Sequence, residues 1–264
     1  MTAPNVEMTL LDNCISFIEE GLQKSIVAEN NPKELKFSIF CLSQAVELAL
    51  KELLRREHRV LVYSDIDKQT RTVTIEQALF RLKRIKSVDI DANDLDAIRN
   101  IGQIRNEIVH YSFEISPKET KLRLARILGF LTHFCRTQLQ VDLTESIDES
   151  LWLQTIEIEK FENELTKRAE ERYKRENIDT SWNWDCPKCN HDAFVHYNDI
   201  NECYLCGHKE KTITCQGCGC EFLESETTKI DEGNMKKMKW IVHYCRDCLE
   251  KRDIDNNDDE LLFR

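Results

Sequence analysis

The chain has 264 residues, enough for one sizeable helical domain and a small second one. Its 37 Lys and Arg against 48 Asp and Glu leave a net charge of −11, which argues against general electrostatic binding to nucleic acid. No apolar run is long enough to span a bilayer and no signal peptide precedes the first helix, so a reducing, cytoplasmic compartment is expected, with the twelve cysteines unlinked by disulfides.

Helix-start signals mark the first half of the chain. Asn31-Pro32-Lys33-Glu34 and Ser116-Pro117-Lys118-Glu119 each place a cap residue, a proline at the first helical position and a glutamate at N3, and Thr74-Ile75-Glu76-Gln77 is a capping box. Helices are expected at about 6–28, 32–58, 74–87, 92–113 and 117–140. The second carries Phe37, Phe40, Leu42, Val46, Ala49, Leu50 and Leu53, an apolar set suited to a helix packed within a bundle. Cys14, Cys41 and Cys135 fall on apolar helical faces and read as core.

The fourth helix, Asp94 to Phe113, sorts into two faces when wound at 3.6 residues per turn. Ile98, Ile101, Ile104, Ile108 and Val109 form an apolar arc, and Arg99, Gln103, Asn106 and His110 a polar stripe. Arg105 projects from the middle of the apolar arc, where a guanidinium needs a partner or a protein interface. Positions five apart lie roughly 140° around the helix, so Arg105 and His110 converge on one phosphate more readily when two copies of the helix meet. A histidine titrates near neutrality and can move the proton of a ribose 2′-hydroxyl or of the leaving oxygen. A forked, permanent cation can hold charge on phosphorus oxygens. Asn106 can orient the imidazole or bind phosphate. The structural alternative pairs Arg105 with a core acid and leaves His110 to cap the helix C-terminus. Glu47, between Val46 and Leu48, is the candidate acid; with Lys51 it also makes an ordinary helix-surface pair, and structural and catalytic roles weigh equally.

Arg105, Asn106 and His110 on a fourth helix, with Glu47 and Lys51 on the second, resemble the HEPN superfamily. The family motif is an Arg, often a polar residue next, and a His four to six residues on; some members add a Glu and a Lys four residues later in the earlier helix. The resemblance covers about residues 5–140. It implies a helical, usually dimeric domain with metal-independent endoribonuclease activity, though some members are not nucleases.

Lys51, Arg55, Arg56, Arg59, Arg71, Arg81, Lys83, Arg84 and Lys86 make one region basic, either a guide for RNA beside His110 or a solvated surface. From Ser150 to Asn177, Leu151, Ile158, Phe161, Leu165, Ala169 and Tyr173 suggest one long helix with a narrow apolar seam, a strut or a dimerisation arm. The tail from Asp253 to Glu260 is acidic and expected to be disordered.

Nine cysteines crowd into residues 186–248. Eight form C-x-x-C pairs, Cys186/Cys189, Cys203/Cys206, Cys215/Cys218 and Cys245/Cys248, with Cys220 left over. Paired thiolates suit tetrahedral zinc, and two zinc ions are expected. The first two pairs resemble a zinc ribbon, with Gly207 allowing a sharp turn, and the last two would hold a second ion; a cross-braced pairing of first with third and second with fourth is the alternative. Four-cysteine sites leave zinc no open position, so both are expected to be structural. Cys220, His208 and His243 are possible substitute ligands but read as bystanders. Trp182, Trp184, Tyr197 and Tyr204 can stack on bases or pack over the knuckles, packing being favoured.

The expected architecture is mainly α: a HEPN-like helical bundle (1–145), a long charged connecting helix (146–180), a small β-rich tandem zinc-ribbon-like domain (181–250) and an acidic tail (251–264). The expected function is metal-independent cleavage of RNA by a homodimer through a composite Arg105/His110 site assisted by Asn106 and Glu47. By family analogy the setting is toxin or antiviral defence, with an antitoxin or defence protein as partner and no membrane. The competing expectation is a non-catalytic adaptor, the bundle serving as a scaffold and the zinc module binding protein or nucleic acid. A zinc hydrolase is disfavoured by the saturated cysteine sets.

Overall fold

A computed structural model describes residues 7–111, 114, 116–197, 200–233 and 239–252. The acidic tail and Phe113 lie outside the described residues. The chain divides into two compact units, Met1–Arg175 and Glu176–Arg264.

The first unit is helical and is organised around its second helix. Helix α1 (Leu10–Val27) starts at a capping box in which the Thr9 hydroxyl accepts from the Asp12 N–H and Asp12 accepts from the Thr9 N–H, each at 3.1 Å. Pro32–Glu34 form a 3₁₀ turn in which Asn31 makes no side-chain cap bond, so α2 (Leu35–Glu57) begins one turn later than the proline suggests. On α2, Leu35, Ile39, Leu42, Ala45, Val46, Ala49, Leu50, Leu53 and Leu54 are buried and serve α1, α3, α4 and α5. The helices α1 and α2 come close at Gly21, whose carbonyl accepts from the Ser38 hydroxyl at 2.8 Å and whose missing Cβ would come within 2.9 Å of Leu42.

Helix α3 (Ile75–Ile85) starts at the Thr74/Gln77 capping box, and α4 (Ala92–His110) starts where the Asp91 carboxylate accepts from the Asn93 and Asp94 N–H groups. Helix α4 ends at His110, with Tyr111 already extended. Ser116 caps α5 (Pro117–Phe134), which runs into a π-helical turn, Cys135–Leu139, closed by Gln140 at φ 54.

The charged segment that follows is not one helix. After the short α6 (Leu143–Ser146) it forms α7 (Glu149–Ile156) and α8 (Glu159–Glu176). Trp152 and Ile156 are buried on α7, and Phe161, Leu165 and Ala169 on α8. Ile156 and Phe161 are five positions apart, so an unbroken helix would turn them roughly 140° from each other. The break at Glu157–Ile158 brings both sets onto the bundle. Helix α7 packs on α1, and Arg168 of α8 binds Asp94 of α4.

The second unit is built from short antiparallel pairings. Strands β1 (Trp184–Asp185), β2 (Asp192–Val195) and β3 (Glu202–Cys203) form one sheet in that order. Strand β4 (Thr212–Thr214) pairs with β5 (Glu221–Leu223), and β6 (Thr227–Gly233) with β7 (Lys239–Cys245). Residues 246–252 are helical. The buried set is small, chiefly Phe194, Val195, Leu205, Leu223 and cysteines, too little apolar surface to order so many loops by itself.

Candidate active site and metal centres

A groove of about 470 Å³ lies where α2, α4 and the start of α3 meet. Glu47 and Ser43 of α2, Thr72 and Thr74 of the preceding loop, Glu76 of α3, and Arg99, Gln103, Arg105 and Asn106 of α4 line it above an apolar floor that includes Val73 and Ile98. Three of the sequence candidates, Glu47, Arg105 and Asn106, are thus brought together. His110 is exposed at the last turn of α4, outside that lining, and its side chain has no hydrogen-bond partner among the described residues.

Arg105 is half-buried against the Phe40 ring, with its guanidinium carbon 6.0 Å from the ring centroid. One terminal nitrogen donates to Asn106 Oδ1 at 2.9 Å, while its Nε is buried without a hydrogen-bond acceptor. The anticipated core acid is not its partner: Glu47 pairs with Lys51 instead. Among the described residues Arg105 has no carboxylate partner, and it is a cation in the lining of the groove whose Nε is enclosed without an acceptor.

Lys51 is buried, its ammonium bound to Glu47 and, at 2.8 Å, to the Thr72 hydroxyl. Thr72 was invisible to periodicity because it belongs to a loop. That loop folds back through the Tyr63–Thr72 bridge and is tethered by Arg81, which donates to the Leu61, Tyr63 and Ser64 carbonyls. Most of the basic region is likewise spent internally: Arg55 and Arg56 share the buried Glu52 carboxylate and Lys86 pairs with Glu57. Burial pulls Glu52 upward, but hydrogen bonds from the two guanidinium groups outweigh it and hold the carboxyl below its ordinary value.

In the second unit, Cys186, Cys189, Cys203 and Cys206 form one group and Cys215, Cys218, Cys245 and Cys248 another, each with its sulfurs within 4.8 Å of one another. The pairing is sequential, not cross-braced. Cys186 Sγ lies 3.6 Å from Cys206 Sγ and Cys189 Sγ 3.7 Å from Cys203 Sγ. Four sulfurs at about 2.3 Å from a tetrahedral ion would be about 3.8 Å apart, so the donor set fits such a metal. Without a cation the four cannot ionise together: S–H groups of Cys189, Cys203 and Cys206 hold Cys186 well below the thiol range, and the Cys186 thiolate pushes Cys206 well above it.

Three of the four turns share one backbone design. The residue four after the first cysteine, Asn190, Gly207 or Gly219, is left-handed (φ 57, 77 and 73) and returns its N–H to that cysteine's carbonyl. The next residue, His191, His208 or Cys220, accepts the first cysteine's N–H at its own carbonyl. Cys220 and His208 therefore occupy equivalent backbone positions with side chains outside the metal groups. His208 binds Glu210 at 2.9 Å, and His243 meets the Thr227 hydroxyl at 2.9 Å. Amide N–H groups of Gly217 and Cys245 point to Cys215 Sγ at 3.4 and 3.3 Å, and burial notwithstanding, such bonds pull that thiol to about 6. Cys14, Cys41 and Cys135 are buried in the bundle; desolvation pushes Cys41 to about 11 and Cys135 to about 12, which makes them poor nucleophiles.

The aromatic residues mostly pack. Trp184 stacks on His196 with centroids 3.7 Å apart, the Tyr197 hydroxyl donates to the Asp179 carbonyl and Tyr204 is buried, whereas Trp182 is exposed. Among the described residues no helix is long and apolar enough to cross a membrane. Compared with known proteins, the chain matches no family model, no curated protein and no solved structure.

Proposed function

We propose that this chain is a metal-independent endoribonuclease of the HEPN type, acting as a homodimer. The observation that carries this reading is Arg105: a partly buried guanidinium in the groove lining, steadied by Asn106, with no carboxylate among the described residues to neutralise it. A phosphate in the groove supplies the missing negative charge. His110 stands about 140° around the same helix, so His110 of a second copy completes the site.

In this scheme the imidazole of His110 takes the proton of a ribose 2′-hydroxyl, and the 2′-oxygen attacks the adjacent phosphorus. The bond from phosphorus to the 5′-oxygen breaks, that oxygen takes a proton from water, the His110 imidazolium returns its proton to solvent, and the products are a 2′,3′-cyclic phosphate and a 5′-hydroxyl end. Arg105 and Asn106 hold the nonbridging oxygens as charge develops. Glu47, fixed by Lys51, shapes the groove wall and acts by positioning. DNA lacks the nucleophile and is not a substrate.

Zinc is the metal we assign to the two cysteine groups, one ion in each. It supplies folding free energy to a unit with little core, and four thiolates leave it no position for substrate. By analogy the setting is toxin or antiviral defence, with an inhibitory or defence protein as partner. The net charge of −11 and the placement of His110 outside the groove favour a second reading, a non-catalytic dimeric adaptor.

The deciding experiment is incubation of mixed cellular RNA with the folded, zinc-loaded chain and with His110→Ala, in EDTA sufficient to bind loose metal. Cleavage that vanishes in the variant and leaves cyclic phosphate ends supports the nuclease. Absence of cleavage by both favours the adaptor.

A further inference from the structure

Helix α3 turns Ala78, Leu79 and Leu82 to the core and leaves Phe80, Lys83 and Arg84 outside. Phe80 is 64 % exposed, an unusual position for a phenyl ring on a well-packed helix. The Arg84 guanidinium lies over it, 5.6 Å from the centroid. Lys83 has no acid partner among the described residues. One turn before Phe80, Glu76 lines the Arg105 groove and binds Arg99, 3.0 Å away on α4. The outer face of α3 therefore starts at a groove-lining residue, Glu76, and carries an aromatic ring and two cations without an acid partner among the described residues.

Residues 51–86 hold ten Lys and Arg against five Asp and Glu, a surplus of five positive charges in a chain whose total is −11. Much of that charge is paired internally, but Lys83 and Arg84 have no acid partner among the described residues, and an apolar protein partner would leave them uncompensated. A single-stranded nucleic acid uses both features, because every base has a flat face for Phe80 and Arg84 and every linkage a negative charge for Lys83 and Arg84.

We infer that the exposed face of α3, centred on Phe80, Lys83 and Arg84, is a binding track for single-stranded RNA leading into the Arg105 groove. This rests on the nuclease reading and adds the form of its substrate: an unpaired strand whose base, next to the scissile linkage, stacks on Phe80. Duplex RNA hides its base faces and is a poor ligand for the track.

The test is fluorescence anisotropy of a short labelled single-stranded RNA of mixed sequence with the full zinc-loaded chain, His110→Ala being the common background so that the probe stays intact. Phe80→Ala is expected to weaken binding about tenfold and Phe80→Trp to keep or tighten it. The pair Lys83→Glu and Arg84→Glu is expected to weaken binding and flatten its dependence on salt. Circular dichroism confirms that each variant folds. Equal affinity of Phe80→Ala and the parent overturns the track. If the wild-type chain still cleaves RNA in that case, the nuclease reading survives; if the parent binds no RNA and the wild type cleaves none, both fall together. A change in sedimentation of Phe80→Ala without a change in RNA affinity assigns the face to protein contact and also overturns the inference.

Discussion

Arg168 binds Asp94 across 74 residues of sequence, with both terminal guanidinium nitrogens on the carboxylate at 2.5 and 3.2 Å. Glu164 takes the Nε at 3.0 Å, and the Arg168 and Asp94 side chains are only 19 % and 5 % exposed. This one cluster locks α8 onto α4, the helix that carries Arg105, Asn106 and His110. Truncating the cation strands two acids, so Arg168→Ala is expected to destabilise the first unit by about 3 kcal/mol, read as a lower urea midpoint. Adding Asp94→Asn is expected to recover part of the loss, and strict additivity of the two changes contradicts the pairing.

The two metal groups are separable. A Cβ on Gly217 would sit 2.8 Å from the Cys248 Cβ and Sγ, a clash inside the second group. Gly217→Ala is therefore expected to lose or weaken one bound zinc while Cys186, Cys189, Cys203 and Cys206 retain theirs. Mercurial titration with a zinc-sensitive dye should count two ions in the parent and a single tightly held ion in the variant. Cys220→Ser, outside both groups, is expected to leave the count unchanged.

Mixing two dead variants tests the composite site. If Arg105 of one protomer works with His110 of the other, a heterodimer of Arg105→Ala and His110→Ala contains one site with both residues intact. Random exchange then restores about a quarter of wild-type activity, from the symmetry of a twofold dimer. No recovery after demonstrated subunit exchange places both residues of a working site in one chain.

Acid should weaken the bundle in two steps. Burial is the main force lowering His133 from its ordinary 6.5; Arg175 and Arg168 reinforce it, and Glu171 and Asp91 oppose it. The unfolded chain binds that proton more tightly, so stability is full above 6.5 and is lost as pH falls through the lowered folded value. Glu52 is also depressed, below 4.5, and its contribution disappears as pH falls through its folded value. Urea midpoints across both windows should show the two declines. His133→Gln is expected to abolish the upper one and leave the lower; persistence of both contradicts the assignment.

The capping boxes at Thr9 and Thr74, the N-terminal caps at Asp91 and Ser116, the core face of α2 and the four C-x-x-C turns were determined by the sequence itself, because each depends on residues within about a turn of one another. The Arg105-Asn106-His110 spacing was legible for the same reason. Tertiary structure decided what local periodicity does not encode: that Glu47 takes Lys51 and not Arg105, that Thr72 closes over Lys51, and that the cysteine pairs combine in sequence order. It also broke the charged segment at Glu157–Ile158, since the core accepts Ile156 and Phe161 on one side only when the helix is interrupted between them. Those outcomes depend on packing between residues far apart in the chain, where the free energy of burying a whole face outweighs the small preference of any one helix to continue.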